Sequence, residues 1–122
     1  MTEKRTTHRL DINLPAFFEI PEAQDHITIA TTLNISATGL RLLTKKRLEV
    51  GQELPLQINL SHEQTITIHV RVVWVKESYS NTTREYLMGI KIKDSMQADE
   101  SKFVRFYAEK LMDFFKHKKD AG

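Results

Sequence analysis

Two short stretches of this sequence hold side chains whose types and spacing suit the binding of a charged, flat ligand. Arg5 and Arg9 frame Arg5-Thr6-Thr7-His8-Arg9, and Asn34-Ile35-Ser36-Ala37-Thr38-Gly39 forms a polar, Gly-terminated turn between two apolar runs. A guanidinium pairs bidentately with phosphate or with a purine acceptor edge, and it also stacks on a base. A serine hydroxyl and an asparagine amide add directional hydrogen bonds, while glycine lets a backbone approach closely or adopt a positive φ. Each stretch alone has a plainer account, since such turns are common and spaced arginines often serve as surface charge. Taken together, these residue types call for a nucleotide.

Other chemistries find less support. Ser36 has no glycine two residues before it, so the Gly-x-Ser-x-Gly nucleophile elbow is missing and nothing marks a catalytic serine. The histidines His8, His26, His62, His69 and His117 show no ligand spacing with carboxylates, so no metal is expected. Cysteine is absent, which removes disulfides, thiol catalysis and thiolate metal sites. The expectation is a protein that is not an enzyme. Three Asn-x-Ser/Thr triplets, beginning at Asn34, Asn59 and Asn81, read as chance matches because no export signal precedes them. Trp74 is most simply core, and Lys45-Lys46-Arg47 is most simply a solvated loop.

A chain of 122 residues with 40% hydrophobic content fits one domain with one core. No apolar run reaches the roughly 18 to 20 residues that a membrane-spanning helix needs, so the reading is a cytoplasmic protein without membrane insertion. A net charge of +2 argues against broad DNA binding, leaving local basic clusters to meet any anion.

The elements that must position the two stretches are mostly strands. Leu10 to Ile20 alternates in extended style past Pro15, and Pro21 to Asp25 turns the chain into a second strand over residues 26–33 that runs straight into Asn34. Leu40 to Thr44, Leu54 to Leu60, Thr65 to Lys76 and Tyr86 to Ile92 continue the pattern. The fifth of these slips phase at Val72-Val73-Trp74-Val75, which predicts a β-bulge that re-aims Trp74. Ser78 to Thr83 reads as a polar loop. Six short strands predict a small antiparallel barrel or sandwich. Beyond residue 93 the period changes to that of a helix over 94–117, capped by Asp94 or Ser95 and ending in a basic run. Its apolar stripe holds Phe103, Phe106/Tyr107, Leu111 and Phe114/Phe115, widened by Val104, Ala108 and Met112. Such a helix is longer than a small barrel end, so it either lies across the wall or meets another chain. Residues 1–9 hold little that is apolar and are expected to form a flexible arm, with 10–93 the barrel and 118–122 a tail.

At this point Arg5-x-x-x-Arg9 followed by Asn34-x-Ser36-x-x-Gly39 resembles the paired signature of PilZ domains, bacterial receptors for cyclic di-GMP. The likeness extends over nearly the whole chain, through Val73-Trp74-Val75, the Met88-Gly89-Ile90 strand and the final helix. The resemblance implies a six-stranded PilZ-type β-barrel with a C-terminal α-helix. It also implies a clamp in which Arg5 and Arg9 hold guanines and phosphates against the barrel. Asn34 and Ser36 would bond the ligand from the barrel face, Gly39 would keep that face low, and Lys4, His8 and Thr38 would stand close by. A basic residue at Lys4 goes, in similar domains, with two stacked ligand molecules rather than one. Ordering about five arm residues costs several kcal/mol at roughly 1 to 2 kcal/mol each, so affinity is what remains after that subtraction. The expected partners are cyclic di-GMP and an unidentified protein, with no DNA, in a monomer or weak homodimer. The competing reading is a PilZ-type interaction module that works independently of nucleotide.

Overall fold

Alternation of apolar and polar residues gives six strands that wrap into one closed antiparallel barrel. The computed structural model describes residues 9–19, 27–80, 83–93 and 98–121. The strands are β1 (Pro15–Glu19), β2 (Ile27–Ile35), β3 (Gly39–Thr44), β4 (Glu53–Ser61), β5 (Gln64–Ser80) and β6 (Thr83–Ile92), followed by the helix α1 (Ala98–Ala121). Their order around the barrel is β1-β2-β3-β6-β5-β4, and the ladder closes where Ala16 and Phe17 of β1 meet Ile58 and Gln57 of β4. Closure leaves no long open sheet edge along the barrel wall.

The inward residues form one continuous core. Leu54, Leu56, Ile58 and Leu60 of β4 face Ile66, Ile68, Val70 and Val72 of β5, with Leu40, Leu42, Met88 and Ile90 completing the lining. The β3 to β4 connection must cross from one part of the barrel to another, and it carries Leu48 into the core on the way. Lys45, Lys46 and Arg47 in the same loop stay exposed. Gly51 turns the loop with φ at +92°, the left-handed region that favours glycine, and its N–H donates to the Val72 carbonyl at 2.7 Å.

Several details depart from the sequence reading, each for a physical reason. The first strand does not run unbroken from Leu10; only Pro15–Glu19 is strand. The segment before it is held by a side chain instead. The buried Thr32 hydroxyl donates to the Ile12 carbonyl at 2.6 Å and accepts from the Leu14 N–H at 2.8 Å, while the Asn13 amide donates to the Thr32 carbonyl at 2.8 Å. Residues Ser78 to Ser80 belong to β5 and Thr83 to β6, so most of the expected loop is ribbon. That ribbon runs past both β3 and β4, and with solvent on both faces it has no apolar alternation to betray it.

The helix also differs from its expected form. Phe103 and Tyr107 join the core, and Phe106 and Leu111 pack at its margin, whereas Val104, Ala108 and Met112 are exposed rather than widening the buried stripe. At 24 residues α1 is about 36 Å long at 1.5 Å per residue, so its distal half outruns the barrel wall. It continues past Lys116 and His117 to Ala121, and cations in its last turns suit that end of the dipole. The expected caps Asp94 and Ser95, the turn at 21–25 and the tail residue Gly122 lie outside the described residues.

The helix start is fixed to the barrel by one carboxylate. Below its pairing with β6, β5 leaves the Thr67 N–H on an open edge, and Asp99 Oδ2 accepts from it at 2.8 Å. That hydrogen bond, with Lys102 adding to it, holds the Asp99 carboxyl below its usual range. A depressed carboxyl contributes stability above its ordinary titration range and loses it as pH falls through the lowered value. Asp99→Ala is therefore expected to lower the thermal midpoint at neutral pH, and the difference from wild type should vanish in strong acid. A difference that persists unchanged at low pH, followed by circular dichroism, would contradict this account.

Candidate functional site

The outer face of the barrel carries one row of residues set by two bulges. Along β2, Thr32 points inward opposite Leu42, and strict alternation would send Asn34 inward too. A register shift between Thr32 and Asn34 inserts Leu33, so Ile35 enters the core opposite Leu40 and Asn34 turns outward opposite Arg41. On β5 the same device recurs. Val72 points inward opposite Ile90, a shift skips Val73, and Trp74 turns outward opposite Gly89. Arg41 and Gly89 are themselves paired across β3 and β6, so Asn34, Arg41, Gly89 and Trp74 lie side by side on four adjacent strands.

Contacts within the row are specific. Arg9 Nη1 donates to Asn34 Oδ1 at 3.0 Å, and the Arg41 guanidinium carbon sits 5.6 Å from the centre of the Trp74 ring. Trp74 is 37% exposed, which corrects its expected place in the core. Its ring lies against Gly89, where a Cβ would overlap the indole. Arg9 is held at its post because Leu10 is buried and bridges to Ile35, each N–H donating to the other's carbonyl at 2.9 Å.

The turn from Ser36 to Gly39 is braced from within. The Ser36 hydroxyl, buried, donates to the Gly39 carbonyl at 3.1 Å and accepts from the Gly39 and Thr38 N–H groups at 3.2 and 3.3 Å. A backbone bond from the Ser36 N–H to the Gly39 carbonyl at 2.8 Å closes the same turn. The hydroxyl thus has its donor and both lone pairs engaged within the turn. Gly39 does not adopt a positive φ; it is required because a Cβ would come 2.5 Å from the Ile90 carbonyl oxygen of β6. Thr38 is exposed, and its carbonyl accepts from the Ile92 N–H at 2.9 Å.

The structure therefore brings Arg9 to Asn34 and places both beside the Ser36–Gly39 turn, while Lys4, Arg5 and His8 lie outside the described residues. Sequence reasoning missed two members of the row. Arg41 had a faint signal, a charged residue alternating between Leu40 and Leu42 directly after Gly39. Trp74 had a better one in the phase slip at Val72 to Val75. Two guanidiniums, an amide and an indole face on one surface suit an anion joined to planar rings. Among the described residues, no group of three or more His, Asp or Glu side chains lies together as a metal site would need. No helix among them is long and apolar enough to cross a membrane.

Comparison with known proteins gives the family and the fold. The chain matches the PilZ domain family over residues 3–109 and belongs to that family. Among solved structures it resembles the PilZ domain of YcgR from Escherichia coli with c-di-GMP, at a TM-score of 0.72 and 11% identity over 97% of this chain and 98% of that one. It also resembles the MrkH–c-di-GMP complex of K. pneumonia, at a TM-score of 0.74 and 18% identity over 99% of this chain and 57% of that one. The Bacillus subtilis inhibitor of motility MotI/DgrA matches at a TM-score of 0.68 and 19% identity, over 92% of this chain and 53% of that one. The chain thus spans a whole YcgR PilZ domain but only about half of MrkH or MotI. Comparison with curated protein sequences gives no match.

Two substitutions test the construction of this face. Gly39→Ala sets a Cβ against backbone that cannot yield without loosening the β3–β6 ladder, so urea denaturation is expected to show a loss of about 1 to 3 kcal/mol. Gly89→Ala meets the indole first, and the ring must move. Because Trp74 is the sole tryptophan, its emission should shift to the red while the barrel stays folded, and an unshifted spectrum would contradict the packing described.

Proposed function

We propose that this protein is a cyclic di-GMP receptor that couples the level of that second messenger to a protein partner. The observation that carries the reading is the contact of Arg9 with Asn34, which joins the two halves of the PilZ signature on one outward face. PilZ membership and the cyclic di-GMP complexes of YcgR and MrkH support the choice of ligand.

In this mechanism Arg5 and Arg9 clamp guanine bases and phosphates against the barrel. Asn34 offers its amide from the rigid side, and Ser36 and Gly39 act by holding the turn in shape, with Ser36 reaching the ligand only by giving up one of its turn bonds. Arg41 and Trp74 extend the floor, one for phosphate and one for stacking a base. On binding, Arg9 exchanges its bond to Asn34 for ligand contacts. Lys4, His8 and Thr38 border the site, and Lys4 favours a second, stacked ligand molecule. The signal is the ordering of the arm 1–9 on the ligand, with Leu10 as its fixed root. The protein performs no catalysis and acts in the cytoplasm.

Isothermal titration with cyclic di-GMP tests affinity and stoichiometry together. Arg9→Ala is expected to weaken binding at least about tenfold, since a lost charge-assisted contact costs roughly 1.5 to 3 kcal/mol. Trp74→Phe should retain part of the affinity and Trp74→Ala less. Absence of heat with the wild-type protein would overturn the receptor reading and favour a nucleotide-independent adaptor.

A further inference from the structure

β4 borders β5 only as far as Val72. The last contacts between them are the pairing of Glu53 with Arg71, the Val72 N–H donating to the Gln52 carbonyl at 2.9 Å, and the Gly51 N–H donating to the Val72 carbonyl at 2.7 Å. The chain turns away there, at Glu49 to Gln52, while β5 continues along β6 to Ser80. The ladder with β6 decides which backbone groups are left over. The Lys93 N–H donates to the His69 carbonyl, so residues 69 and 71 turn their N–H and C=O toward β6, and the bulge at Val73 passes that role to Trp74, Lys76 and Ser78. The N–H and C=O groups of Val75, Glu77 and Tyr79 therefore point to the side that β4 has left. Among the described residues none of these six groups has a partner. Apolar side chains stand open along the same edge, with Val50 61%, Val73 42% and Tyr79 63% exposed.

We propose that this edge takes up an extended segment of a partner protein, which adds a β-strand beside residues 75–79. Three donors and three acceptors at alternate residues specify the occupant, because an extended backbone meets them at their spacing. Side chains set its chemistry. Lys76 lies on the outer face next to Trp74, and no carboxylate among the described residues is within ion-pair distance of it. Glu77 lies on the opposite face between Val75 and Tyr79, where its carboxylate accepts from the Tyr79 hydroxyl at 3.4 Å. A complementary strand carries an acidic residue opposite Lys76, a basic one opposite Glu77 and β-branched residues opposite Val75 and Tyr79. A second copy of this chain fits poorly. Pairing over the whole of residues 75–79 would centre on Glu77 and set two carboxylates opposite each other. The strand site needs no nucleotide, and it begins beside the outer row because Trp74 belongs to both.

Hydrogen exchange of the full chain without nucleotide is expected to be fast at the Val75, Glu77 and Tyr79 amides and slow at Lys76 and Ser78 between them. The probe is the capped peptide Val-Thr-Lys-Glu-Val-Thr, whose first five residues pair antiparallel with Tyr79 back to Val75. At millimolar concentration it should shift the amide signals of residues 75, 77 and 79. Methylating its backbone nitrogens at the lysine and the second valine, which face β5, should abolish the shifts, whereas methylating the first threonine and the glutamate, which face away, should not. Glu77→Pro removes one open donor and leaves the β6 ladder whole, so it should keep the wild-type circular dichroism and lose the shifts. Lys76→Glu alters an exposed position and should weaken the peptide about threefold, with recovery when the peptide's glutamate is replaced by lysine. Slow exchange at all three edge amides, no shifts with the peptide, shifts indifferent to methylation on the β5 side or to Glu77→Pro, or a self-association of the wild-type protein that Glu77→Pro removes would each overturn the proposal.

Discussion

A β-strand presents alternate residues to its two faces, so an inserted residue exchanges the faces for everything beyond it. Leu33 in β2 and Val73 in β5 are such insertions, and the outer surface depends on them. Without the first, the Asn34 amide would face a barrel lined by Leu40, Leu42 and Met88, where a polar group without a partner costs on the order of 1 to 3 kcal/mol. Without the second, the indole of Trp74 would compete for a core already filled by Val72 and Ile90. Each bulge keeps the core apolar and at the same time delivers a binding-type side chain to the outside.

Two glycines make that outer row possible, for different reasons. Gly39 lets β3 and β6 approach, and Gly89 lets the indole lie across the wall so that Arg41 can sit over it. Thr32 and Leu10 do the same for the chain leading in. The first ties residues 12–14 to β2 by its hydroxyl, and the second ties the residue after Arg9 to Ile35. The rigid side of the proposed site is thereby built before any ligand arrives, and preorganisation of this kind lowers the entropic cost of binding.

Much of this was legible in advance because the responsible signals are local. Period-2 alternation in Leu54 to Leu60 and Thr65 to Val72 marked β4 and β5, and the change of period after residue 93 marked a helix. The phase slip at Val72 to Val75 marked one bulge. The other escaped notice because Thr31-Thr32-Leu33-Asn34 mixes polar and apolar residues without a visible break in rhythm. The role of Gly39 was open between positive φ and close approach, a question that only the position of Ile90 in another strand answers. Arg41 and Trp74 are far apart in sequence, and nothing local says that β3 and β5 flank β6. For α1, residue type separated apolar from polar faces but did not say which apolar face the barrel takes, since that follows from where Asp99 meets Thr67.

The closed barrel also constrains how a signal leaves it. Every strand is paired on both sides for at least part of its length, so moving one strand breaks hydrogen bonds with two neighbours, and such motions are rare. β5 reaches both the helix start, through Thr67, and the outer row, through Trp74, yet it is paired with β4 or β6 between them and offers no second arrangement to populate. A change at Trp74 then has little means of altering the helix. Arg9 is different, since it precedes the barrel strands and reaches Asn34 by its side chain alone. A ligand bound on this frame would therefore be read from the surface beside the outer row rather than from a change inside the barrel.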